Sequence, residues 1–211
     1  VDWPVAVVGN FESQFLDLPS EVLVSPLKKH QRYFPTYGDD GALRPHFITI
    51  SNIESAAPDE VKRGNERVVA PRLSDAAFFW NNDQKLTLEA RAARLPNIVY
   101  QRELGSVADK MARVGQLATS IAADTSKEIR DPVARTALLM RADLLTDMVG
   151  EVPDLQGIMG GYYARRDGED DAVATAISEQ YLPRFAGDAI PLTTVGQVIA
   201  VADRLDTITG I

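Results

Sequence analysis

Two stretches of this chain combine cations with aromatic rings, and in the first the mixture suits phosphate contacts plus base stacking. The first is Lys28-Lys-His-Gln-Arg-Tyr-Phe34, which reads equally as a helix end with favourable cations near its C-terminus followed by an edge strand. The second lies within residues 154–169, DLQGIMGGYYARRDGE, where Tyr162, Tyr163, Arg165 and Arg166 follow Gly157, Gly160 and Gly161. Each glycine costs a helix roughly 1 kcal/mol relative to alanine. Close backbone approach, as to a neighbouring helix, a bend, or a binding surface would offset that cost. Arg63, Arg67 and Arg72 form a third basic group. Their spacing by four and five does not place all three on one helix face, and Glu60, Glu66 and Asp75 are within reach as partners.

Carboxylates also pair along the chain. Asp143 and Asp147 are four apart and Asp203 and Asp206 three apart, spacings that put each pair on one face of a helix. Such pairs could hold Mg²⁺ with its waters, or lie on a solvated or salt-bridged edge. Histidine is limited to His30 and His46 and cysteine is absent, so neither a multi-histidine cage nor a thiol nucleophile can be assembled from these residues. No GxGxxG, GxxxxGK[ST], GxSxG or HExxH motif occurs. No catalytic residue is therefore assigned.

With 211 residues, 45% of them hydrophobic and 25% charged, the chain can bury a core, as one large domain or two small ones. Its net charge of −8 argues against a generally basic nucleic-acid binder. The charge is uneven, however. Residues 28–72 hold 8 basic side chains against 6 acidic ones, whereas residues 96–211 hold 11 against 17. Phosphate contacts must then be local. Lack of cysteine fits a reducing, cytoplasmic setting. No apolar run approaches the roughly 18 residues that a membrane span needs. The opening VDWPVAVVG lacks a start methionine and a basic leader, and both ends read as cuts in a longer protein.

The elements that must position these residues follow from pattern. A short apolar-periodic stretch runs from Asn10 to Leu16. Ser20 suits the N-cap of a helix through Val22, Leu23, Leu27 and His30, with Pro26 able to kink it. Gln31–Tyr37 and Leu43–Ser51, joined by Gly38-Asp-Asp-Gly41, read as a β-hairpin. Pro58 opens a helix toward Phe78-Phe79-Trp80 that Pro71 divides in two. A charged helix spans Gln84–Arg94. Helices are then expected at Ser106–Asp124, Pro132–Met148, Leu155–Arg166, Ala172–Tyr181 and Thr194–Ile208, with breaks at Gly150–Pro153, Gly168 and Pro183–Pro191. The expected fold is α+β and predominantly α. A small mixed hairpin region over residues 1–95 precedes a helical bundle over residues 96–211, divided near Leu95–Val99.

Eight segments together resemble the β subunit of the bacterial heterotetrameric glycyl-tRNA synthetase. They are WPVAVVGNFESQFLDLPSEVL (3–23), KHQRYFP (29–35), FITISNIES (47–55), GNERVVAPRLSDAAFFWNND (64–83), ELGSVADKMARV (103–114), LLMRADLLTDMVGEVPDLQGIMGGYYARRDGE (138–169), EQYLPRFAGDAIP (179–191) and IAVADRLDTITGI (199–211). They keep the family's order over almost the whole chain.

The resemblance implies an interior section of a β subunit within a cytoplasmic α2β2 ligase. In that family a separate α subunit carries the class II active site, using ATP and Mg, and β chiefly engages tRNA-Gly. The first half would belong to a region likened to the B3/B4 module of phenylalanyl-tRNA synthetase, and the second half to an HD-type helical domain. At the HD position stands Ala142-Asp143, and Gln101-Arg102-Glu103 precedes Leu104-Gly105. The metal-binding histidines are thus missing while Asp143 and Asp203 remain, which implies a degenerate HD-like module with no cofactor of its own. The residues expected to contact tRNA are Lys28, Lys29, Arg32, Tyr33, Arg63, Arg67, Arg72, Tyr162, Tyr163, Arg165 and Arg166. Two alternatives stand beside this reading. One is an interface for assembly built on Gly157–Tyr163; the other is a metal-dependent phosphohydrolase using Asp143, Asp147 and Asp203.

Overall fold

A computed structural model describes residues 3–210, except for the side chain of His30. The role of that imidazole, one of the two in the chain, lies outside the described residues. The fold is α+β and predominantly α, in two units, Val1–Asp83 and Gln84–Ile211.

The first unit is built on a three-stranded antiparallel sheet of order β1-β3-β2. Its strands are β1 (Val5–Asn10), β2 (Phe34–Tyr37) and β3 (Leu43–Ser51). The hairpin β2–β3 forms as its aromatic and β-branched residues predict, with Gly41 at φ 72° in the turn. Sequence pattern alone misses β1, whose register runs from Val5 opposite Ser51 to Asn10 opposite His46. Its apolar residues run on without alternation, so pairing with the central strand decides its state. Helix α1 (Ser20–Ser25) continues into one π-helical turn over Pro26–His30. Pro19, not Ser20, occupies its N-cap.

Helix α2 runs unbroken over Pro58–Asp83, with Pro71 inside it. The predicted division at Pro71 is therefore wrong. The missing N–H leaves the carbonyl of Arg67 without its helical donor, but Arg67 and Pro71 are both exposed, so water can take that oxygen. The core of this unit joins Phe15, Leu23, Leu27, Tyr33, Phe47, Val69 and Leu73.

The second unit begins at Gln84, before the boundary expected near Leu95–Val99. The reason is local packing. Helix α3 (Leu88–Ala92) buries Leu88 and Arg91, and Arg91 donates to the carbonyl oxygens of Leu86 and Leu145. A short ribbon, β4 (Val99–Gln101) with β5 (Gly105–Ser106), leads to α4 (Val107–Ile121). Ser106 and Asp109 close a reciprocal capping box there. Helices α5 (Lys127–Leu139), α6 (Asp147–Glu151), α7 (Ile158–Arg166), α8 (Asp171–Glu179) and α9 (Thr194–Gly210) complete the bundle.

The continuous helix expected over Pro132–Met148 is two helices with a 3-10 turn, Ala142–Leu145, between them. Thr146 sets the break. Its hydroxyl donates to the carbonyl of Asp143 at 2.6 Å and accepts from the N–H of Val149 at 3.2 Å, starting α6 anew. Among the described residues no helix is long and apolar enough to cross a membrane.

Candidate functional site

In the first unit the basic candidates end up in different settings. Lys28 and Lys29 are exposed on the π-helical turn, and Arg32 is exposed with φ 57°, left-handed backbone that a non-glycine residue seldom adopts. Tyr33 points the other way. It is 7% exposed, its ring stacks on Phe47 with centroids 4.7 Å apart, and its hydroxyl donates to Asn65 Oδ1 at 2.6 Å. Burial raises its phenol above the ordinary pKa. The expectation that Tyr33 contacts tRNA is therefore corrected: Tyr33, just before β2, is turned into the core, whereas Phe34, the first residue of that strand, is exposed. On α2, Arg63 is tied to Glu60. Arg67 and Arg72 are exposed and form no ion pair among the described residues. At about 100° per residue, Arg63 and Arg67 lie about 40° apart and Arg72 about 140° beyond.

In the second unit the glycine-rich segment is explained by helix packing. A Cβ on Gly161 would stand 1.9 Å from Ser178 Oγ and 2.9 Å from the Ala174 carbonyl oxygen; one on Gly160 would stand 2.7 Å from Ile177 Cγ2. Helix α8 thus lies directly on the glycine face of α7. Gly157 is needed for its own φ of 79°. Tyr163 is 3% exposed and belongs to the core, which corrects its expected place among the RNA contacts, whereas Tyr162 is half-buried. Arg165 reaches Asp171 at 3.0 Å and Thr175 at 3.0 Å, and Arg166 donates to the Gln84 carbonyl at 3.1 Å. Both guanidinium groups remain exposed, but each also braces the bundle.

Behind this face lies a buried charge centre. Asp143 is 1% exposed and accepts from the N–H of Gly157 at 2.5 Å through Oδ2, while its Oδ1 meets no hydrogen-bond partner among the described residues. Burial pushes its pKa up to about 6, against the pull of the Gly157 N–H and the Arg141 charge. Arg141 donates to Asp203 Oδ2 at 2.9 Å and lies 4.3 Å above the Tyr181 ring. The Tyr181 hydroxyl is buried, and that burial drives its pKa up to about 12, against the pull of the Arg141 charge.

From α4, Lys110 enters the same centre. Its ammonium lies 3.0 Å from Asp206 Oδ2, 2.9 Å from Thr207 Oγ1 and 3.2 Å from Asp203 Oδ1, the last a contact of charge without hydrogen-bond geometry. Arg113 holds the other oxygen of Asp206 at 2.7 Å. Burial alone would raise the Asp206 pKa, but hydrogen bonds from Arg113 and Lys110 outweigh it and hold the group below the ordinary carboxylate value. Beside the centre opens a cleft of about 460 Å³ bordered by Gln156, Tyr181, Arg184, Asp203 and Thr207.

This arrangement does not fit a metal. Asp143 and Asp147 do not share a helix face: the first sits in the 3-10 turn, and the second, in α6, is exposed. Asp203 and Asp206 already face three fixed cations, Lys110, Arg113 and Arg141, which would repel a fourth. Among the described residues no three His, Cys, Asp or Glu side chains are grouped to hold an ion. The phosphohydrolase alternative loses its geometry with them.

The profile of the glycyl-tRNA synthetase beta subunit matches residues 1–211, the full length of the chain. The chain belongs to the glycyl-tRNA synthetase beta-subunit family. Its relatives include the glycine–tRNA ligase beta subunits of Chromohalobacter salexigens, 51% identical, Acinetobacter baylyi, 49%, and Proteus mirabilis, 48%, each over 211 residues. All of this chain is covered in those comparisons, but it spans only 30% of the length of each relative.

Several residues of this family member escape sequence reasoning. Lys110 stands in the apolar stripe Val107-Met111-Val114-Ala118 of α4, and an unexpected cation in such a stripe is a signal for a buried ion network. Arg141 and Tyr181 give no such signal. The partner of Arg141 on α9 is 62 residues away in sequence, and Tyr181 meets that guanidinium from 40 residues downstream. Phe34, 56% exposed, can be separated from Tyr33 by the alternation of adjacent residues, whereas Tyr37, 51% exposed, shares the parity of Tyr33 and cannot.

Proposed function

We propose that this chain is an RNA-contacting section of a glycine–tRNA ligase β subunit, binding and positioning tRNA-Gly while glycine is joined to it in the active site of a partner α subunit. The single observation that carries this reading is membership of the family along all 211 residues. Two features of the site agree with it. Lys28, Lys29, Arg32, Arg67 and Arg72 present exposed cations in the half of the chain that holds a local excess of positive charge. Asp203 and Asp206, the acidic pair of α9, are neutralised by Lys110, Arg113 and Arg141.

On this reading ATP and Mg are used in the α subunit, and the chain works inside a cytoplasmic α2β2 assembly. Its first unit corresponds to a B3/B4-like module and its second to an HD-like scaffold without a metal. An assembly interface built on Gly157–Tyr163 has less behind it, since those glycines already face α8 of the same unit.

The test is a titration of the complete ligase with tRNA-Gly at several salt concentrations. Changing Arg67 and Arg72 together to glutamine is expected to weaken binding and to flatten the salt dependence by about one unit of slope for each phosphate no longer neutralised. Affinity and slope equal to the parent enzyme would remove these arginines from the interface.

A further inference from the structure

The three-stranded sheet has one covered face and one open face. Phe47 marks the covered side, fully buried among Tyr33, Val69 and Leu73. On the opposite side the register aligns Val8, Ile48 and Phe34 in one row across all three strands, flanked by Ala6 opposite Ile50 and by Asn10 opposite His46. Val8 is 52%, Phe34 56% and Ile50 40% exposed. Tyr37 ends the same edge strand and is also exposed. The segment entering that strand carries Lys28, Lys29 and Arg32, all exposed.

We propose that this open sheet face is a stacking platform for unpaired nucleotides of RNA. A base lies on the Phe34 ring, and Lys28 and Arg32 meet the adjoining phosphates. The inference rests on the RNA-contact reading above and narrows it to one surface. Stacking on an exposed ring is tolerant of sequence because every base has a π-face, and a cationic rim supplies the complementary charge for the backbone. A protein partner fits the surface less well. Protein interfaces favour aromatic rings too, but they are depleted in lysine, and here Lys28 and Lys29 lead directly into the aromatic edge. The apolar row is bounded on one side by a fixed polar pair, with His46 Nδ1 and Asn10 Oδ1 2.8 Å apart.

The experiment uses the complete ligase carrying Phe34→Trp or Phe34→Leu, titrated with tRNA-Gly and with an unstructured oligonucleotide. The tryptophan variant is expected to show fluorescence quenching that saturates with tRNA, measured as the difference from the parent enzyme. The leucine variant, still apolar but without a ring, is expected to bind on the order of tenfold more weakly with the salt slope unchanged. Normal tRNA binding by Phe34→Leu together with no quenching in Phe34→Trp would overturn the platform while leaving the RNA-contact reading intact. A blue-shifted Phe34→Trp emission before tRNA is added, with loss of assembly in Phe34→Glu, would overturn it in favour of a protein element covering the face. No tRNA binding by the parent ligase would overturn both readings together.

Discussion

Replacing Lys110 with methionine should destabilise the helical unit by about 3–5 kcal/mol, the usual consequence of removing one partner from a buried ion pair. Methionine keeps most of the stem's apolar contacts, so the loss reports the charge. In the parent chain the side chains of Lys110 and Asp206 are only 4% and 6% exposed. Without the ammonium, Asp206 retains Arg113 and Asp203 retains Arg141, but Thr207 and two carboxylate oxygens lose their donor or counter-charge. The measurement is urea unfolding of this chain followed by helical circular dichroism. Acid supplies the control. Asp206 has a lowered pKa, so the stability it contributes is present above its unfolded value near 3.8 and is lost as pH falls through the still lower native value. The gap between parent and variant should therefore narrow below about pH 4. A gap under about 1 kcal/mol at neutral pH, the range of an exposed pair, would show that the network contributes little.

Gly161→Ala is the second large effect, and its sign opposes helix propensity. In an open helix the change would stabilise by roughly 1 kcal/mol. Here the new methyl meets Ser178 Oγ at 1.9 Å and the Ala174 carbonyl oxygen at 2.9 Å. The serine hydroxyl can rotate away, but the carbonyl belongs to the backbone, so α7 and α8 must part. Overpacking of this kind costs about 1–3 kcal/mol. Gly115→Ala on α4 is the matched comparison, because its Cβ would sit 3.5 Å from that of Ala137, an ordinary separation. Thermal unfolding should show Gly161→Ala melting below the parent and Gly115→Ala at or above it. Equal melting of the two variants would mean that α7 carries its glycines for some reason other than α8.

These two residues also mark how far the sequence can be read. Periodicity locates α4, α8 and α9 because their buried stripes repeat at helical spacing. The glycines of α7 stand out as an anomaly, and a neighbouring helix is among the explanations the sequence allows. Only the fold says that the neighbour is α8. Pro71 misleads because propensity prices a lost hydrogen bond as though it were buried, and at an exposed position it is not. Strand β1 is illegible for the opposite reason: its state depends on pairing with β3, some forty residues away.

The candidate site divides along the same line. The exposed cations on residues 28–32 and on α2 are found by type and spacing, and they keep the solvent exposure that phosphate contact requires. Tyr33 and Tyr163 are assigned by type alone, and both are core residues. The carboxylates of α9 are recognisable as a pair, but Lys110 and Arg141, which neutralise them, reach in from α4 and from the turn after α5. Long-range neutralisation of this kind leaves no local trace, so an acidic pair reads as a possible ion site until its partners are in view.

The most direct measurement is hydrogen exchange of the complete ligase with and without saturating tRNA-Gly. The proposed function predicts slowed exchange in the segment from Lys28 to Tyr37 and along the first half of α2 when tRNA is bound, with the buried centre around Asp143 unchanged. Identical exchange throughout residues 3–210, with tRNA demonstrably bound, would contradict it and move tRNA contact outside this part of the β subunit.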